Sequence, residues 1–95
     1  MQYHKEDMIG QLYQWNEDKQ LLSGGTPSRK AFDRFNGYQV LYIINYYASF
    51  FENFSKEQGR LVERMIMNDL PVEVRSEMSV FNWISVTEKK INSSN

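Results

Sequence analysis

The sequence predicts an all-α protein: a small bundle of four or five helices packed around a central hydrophobic helix at about residues 38–54. Three observations carry that expectation. In the stretch YQVLYIINYYASFFENF, Asn45, Ser49, Glu52 and Asn53 recur at i, i+4, i+7 and i+8, which is the repeat of one helix face. A strand's period of two fails there, because Asn45 would share a face with Ile43 and Tyr47. Ser55, followed three residues on by Gln58, is a capping box that opens a further helix. Finally, a composition of 41% hydrophobic and 15% aromatic residues supplies a core and excludes apolar-poor disorder. Ninety-five residues is one domain's worth of chain, so residues 1–95 are expected to form a single domain with a frayed polar tail at about 88–95.

Taken in order, the first predicted helix spans about residues 4–22. Met8, Leu12, Trp15 and Leu22 form its stripe, interrupted by Lys19, with Ile9 beside it and Glu6, Asp7, Glu17 and Asp18 turned away. Ser23-Gly24-Gly25 supplies its C-cap. Thr26-Pro27 then reads as N-cap and first turn of a short helix at 28–35, with Phe32 and Phe35 in the core beneath Arg29, Lys30 and Arg34. Asn36-Gly37 separates it from the central helix, whose wide apolar arc runs from Val40 through Phe50 and Phe51 to Phe54.

The capping box opens a helix at about 56–70, with Leu61, Val62, Met65, Ile66 and Leu70 on one face. Lys56, Arg60, Glu63 and Arg64 are expected on the solvated face, with Met67 among them. Pro71 makes a tight junction into a last helix ending at about Val86, on a seam of Val74, Met78 and Phe81 joined by Val80 and Ile84. Trp83 lies off that seam. The run MSVFNWISVT also favours strands, so strand is the competing reading for residues 72–86.

Eleven basic residues against twelve acidic ones give a formal charge of −1, which exerts no global pull on nucleic acid or anionic lipid. With no cysteine, disulfides, thiolate metal sites and thiol catalysis are excluded. The sole histidine, His4, reads as a surface residue near the terminus. No nucleophile elbow, metalloprotease helix, phosphate-binding loop, dinucleotide fingerprint or calcium loop is present, so no catalytic residue, cofactor or metal is expected. MQYHKEDM has no apolar signal region, and the run at 38–54 is shorter than the ~20 residues a bilayer helix needs. The expectation is a cytoplasmic, non-membrane protein.

A surplus of large residues at the margins of the predicted stripes points to function. Tyr13, Tyr38, Tyr42, Tyr46, Met67 and Trp83 are of types enriched at interfaces. The expected function is a non-catalytic protein–protein interaction module: a small regulatory or accessory protein that self-associates as a homodimer, with Trp15, Met67, Trp83 and Tyr42 as partner-binding residues. The alternative is weak nucleic-acid binding through a basic patch of Arg29, Lys30 and Arg34, or through a helix-turn-helix made by the last two helices. An enzyme of unknown type is the more distant alternative.

Overall fold

In the computed structural model the described residues are 3–15 and 26–93, with side chains described as far as residue 89. They are all-helical in class, with three α-helices where four or five were expected. These are α1 (Gly37–Ala48), α2 (Lys56–Arg64, continued by a π-helical turn, Met65–Asp69) and α3 (Glu77–Ser93). The core lies where they meet: Val40, Ile43, Ile44 and Tyr47 of α1 pack with Val62 and Ile66 of α2 and Val80 and Ile84 of α3.

Each helix starts where its sequence provides a cap. The Asn36 side chain accepts from the amides of Tyr38 and Gln39, so it caps α1 as well as ending the preceding segment. At α2 the capping box forms as expected: Ser55 accepts from the Gln58 amide, and Gln58 reaches back to the Ser55 amide. Ser76 accepts from the Ser79 amide ahead of α3. This last helix begins at Glu77, later than the Pro71 junction implied, because residues 71–74 form a turn closed by the Val74 amide on the Pro71 carbonyl. Its helical backbone continues to Ser93, so residues 72–86 are not a strand and the polar run expected to fray is helical through most of its length.

The first two predicted helices do not form in the described residues. Of the described part of that segment, residues 4–15, only a 3-10 turn, Lys5–Asp7, is helical before the chain becomes irregular. The amides of Ile9 and Gly10 both donate to the buried Glu63 side chain, so they are taken from the carbonyls a helix would have used. Leu12, placed on the buried stripe by its spacing, is 76% exposed. Lys19, Leu22, Glu17, Asp18 and the Ser23-Gly24-Gly25 cap lie outside the described residues.

Segment 28–35 is likewise not a helix. The carbonyls of Ser28 and Lys30 accept from the amides of Met78 and Glu77, and the Phe32 amide donates to Arg75. Its backbone thereby satisfies the first orphan donors of α3 instead of its own turns. Phe32 packs against the core but Phe35 is half exposed, contrary to expectation.

The central helix is also shorter than 38–54. It ends at Ala48, and Phe50 and Phe51 are 62% and 44% exposed, so neither completes the apolar arc; Phe54 returns to the core. On α3, Met78 is exposed while Glu77, Val80, Ile84 and Glu88 face inward. Among the described residues no helix is long and apolar enough to cross a membrane.

Candidate functional site

Two buried carboxylates position the surface. Glu63, expected on the solvated face of α2, is fully buried. Its Oε2 accepts from the Gly10 amide at 2.8 Å and the Tyr13 hydroxyl at 2.7 Å, its Oε1 accepts from the Tyr3 hydroxyl at 3.0 Å, and the Ile9 amide is shared between the two oxygens. The two amides and the Tyr13 hydroxyl present hydrogens to it, and the Tyr3 hydroxyl shares its single hydrogen between Glu63 and the Asp7 carbonyl at 2.8 Å, so the buried side chain is well supplied with donors. The phenol of Tyr3 slots over Gly59, one turn before Glu63, where an added Cβ would lie 2.7 Å from the ring. Asn45 of α1 completes this clamp by pairing with Tyr3 in both directions, accepting from its amide at 2.6 Å and donating to its carbonyl at 2.8 Å.

Glu77 does the same for segment 28–35. It accepts from the Ser28 amide and from the Gln39 side chain, which also donates to the Ala31 carbonyl and accepts from the Asp33 amide. The carboxylate sits at the positive end of α3, which favours its charge.

With the N-terminal segment fixed in this way, an aromatic path crosses the surface. Tyr13 meets Trp15 edge-on at 5.9 Å, and Trp15 meets Tyr38 at 5.1 Å. Trp15 is half-buried, lies against Gly37 and carries the Lys5 ammonium 4.6 Å above its ring. From Tyr38 the path continues along one face of α1 as a shallow trough of about 410 Å³ lined by Tyr38, Leu41, Tyr42, Asn45, Tyr46 and Ser49. Tyr42 leads to Tyr46 at 6.1 Å, and Tyr46 to Phe50 and Phe81, each at 5.3 Å. Burial pushes the Tyr42 phenol up to about 12, with the Glu77 charge adding to the effect.

At the start of this path, beside Tyr13, is a second, deeper pocket of about 160 Å³, lined by Gly10, Leu12, Tyr13, Arg34, Phe35, Met67 and Asn68. Arg34 closes it from one side by donating to the Leu70 carbonyl at 2.7 Å and the Met67 carbonyl at 3.4 Å, the unsatisfied end of the π-helical turn.

The structure thus brings Trp15, Tyr42 and Met67 onto one connected surface. It places Trp83 on α3, half-buried against the core, and Phe81 takes the place on the aromatic path. The three cations of the nucleic-acid alternative do not share an environment: Arg29 and Lys30 are exposed, whereas Arg34 is half-buried on backbone carbonyls. Arg75, in the junction between the last two helices, lies ahead of α3 and donates to the Val72 carbonyl. His4 is exposed.

Sequence reasoning missed Glu63, Gly59, Asn45 and Phe50. Gly59 inside a helical pattern is the one signal that could have marked a close approach. Fold and site together define a small all-α protein whose non-helical segments are held to the helices by buried carboxylates. No protein-family model, curated protein or solved structure matches the chain.

Proposed function

We propose that the protein is a non-catalytic protein–protein interaction module, and that it self-associates through the aromatic face of α1. The observation that supports this is the path from Trp15 through Tyr38, Tyr42 and Tyr46 to Phe50. From Tyr38 to Phe50 it lies on a stretch with no charged residue between Phe35 and Phe51. The two non-aromatic polar side chains of the trough are engaged at home, Asn45 on Tyr3 and the Ser49 hydroxyl on the Tyr46 carbonyl, so covering them strips little water from those two groups. Large, stiff aromatic side chains with an apolar body are the groups that dominate association energetics.

Light scattering across a concentration series tests the proposal. The expected result is a dimer mass that falls on dilution, and a shift towards monomer in Phe50→Ser, whose side chain is mostly outside the fold. A monomer mass at every concentration would sink self-association.

A further inference from the structure

We propose that the pocket beside Arg34 receives the Phe51-Glu52 pair of a second copy of this chain. The proposal rests on the self-association reading above and names the two ends of that interface. The pocket holds about 160 Å³ and is walled by Leu12, Tyr13, Phe35 and Met67. A space of that order accommodates one benzene-sized ring. Its polar wall is Arg34, a guanidinium that spends two of its five hydrogens on carbonyls and, among the described residues, has no carboxylate at ion-pair distance. The ligand it suits is therefore an aromatic or branched apolar group with a carboxylate next to it.

The chain displays that chemistry just beyond the other end of α1. Phe51 is 44% exposed after the helix has ended, and Glu52 beside it is exposed and likewise without an ion-pair partner among the described residues. The pocket residues Arg34 and Phe35 precede the first turn of α1, and Phe51-Glu52 follows its last. The separation is the helix length, about 18 Å for twelve residues. An antiparallel pairing of two α1 faces sets the start of one helix against the end of the other. Both pockets are then filled by one two-fold operation, the closed arrangement that limits assembly to a dimer. The aromatic path runs along α1 between the two ends as far as Phe50, the residue before Phe51, whose ring borders Tyr47 and Phe54.

A charge exchange tests this on the full chain. Glu52→Arg is expected to weaken the dimer about tenfold, with Glu52→Gln intermediate, because the reversed charge faces Arg34 and the amide only loses the attraction. Mixing Glu52→Arg with Arg34→Glu is expected to restore mixed dimers to within about threefold of the parent affinity. Equal affinity for the parent, Glu52→Gln and Glu52→Arg would overturn the pocket assignment while leaving self-association standing. A parent that is monomeric would overturn both. Arg34 also caps α2, so folding of Arg34→Glu is checked by circular dichroism; if it does not fold, the ranking of the two Glu52 variants decides.

Discussion

Tyr3 and Glu63, sixty residues apart in sequence, meet in the interior through a 3.0 Å hydrogen bond from the phenol to the carboxylate. The contact depends on a notch: Gly59 lets the ring approach α2 closely, and one turn later Glu63 meets its hydroxyl. The N-terminal segment is thereby held against α2 by specific polar bonds as well as by packing. The Lys56 to Asp7 ion pair at 3.3 Å adds a weaker, more exposed tie between the same two elements.

Replacing Glu63 with Gln keeps the shape but turns one acceptor into a donor facing backbone amides that can only donate. The expected cost is about 1–3 kcal/mol in urea unfolding, with faster hydrogen exchange at Ile9 and Gly10 than in α1. Equal exchange at those amides in parent and variant would mean that Glu63 does not hold the segment.

Gly59→Ala puts a methyl group where the Tyr3 ring lies, and is expected to destabilise by about 1–3 kcal/mol even though alanine is the better helix former. In a Tyr3→Ala background the same change should become neutral or stabilising. Additive losses would place the strain elsewhere.

The phenols of Tyr3, Tyr13 and Tyr47 are all raised above the ordinary value near 10, first by burial and then by the hydrogen bond each gives to a glutamate: Glu63 for the first two and Glu88 for the third. A raised folded value means the protonated phenol is favoured by folding. This contribution is complete below about pH 10 and is lost as pH climbs towards the folded values. Phenolate absorbance should therefore rise in two stages, the second coinciding with loss of helical circular dichroism. A single smooth rise at ordinary tyrosine pH would refute the buried network.

Gln39→Leu is close in volume but deprives the Asp33 amide, the Ala31 carbonyl and Glu77 of their shared partner. The expected loss is about 1–3 kcal/mol, read from the thermal midpoint, with segment 28–35 becoming the first site of proteolysis. Cleavage that starts in the linker between α1 and α2 instead would show that Gln39 is not the tie.

What was legible in the sequence is what local chemistry decides. The Ser55-Gln58 box opened α2 where it was expected, since a serine oxygen and a glutamine side chain three residues on satisfy each other's amides without help from the rest of the chain. The period of Val40, Ile43, Ile44 and Tyr47 marked the buried side of α1 correctly, because 3.6-residue geometry puts them on one face. Tyr42 and Met67 were readable as surplus aromatic and thioether surface and Trp15 as part of an apolar stripe, though the surface the three share was not.

Only the tertiary structure decided the two segments that gave up helical form. Met8, Leu12 and Trp15 keep helical spacing, yet Glu63 claims the amides between them from a position fifty residues on. Segment 28–35 yields its carbonyls to α3 in the same way. Spacing records which side of an element is apolar, but a buried carboxylate must find donors wherever the fold brings them, and the free energy of leaving it without them exceeds the helix preference of a few residues. The sequence by itself determined the helical class, the central apolar helix and the cap of α2. Long-range hydrogen bonding to Glu63 and Glu77 determined where the helices are absent, and with that which aromatic side chains line the surface.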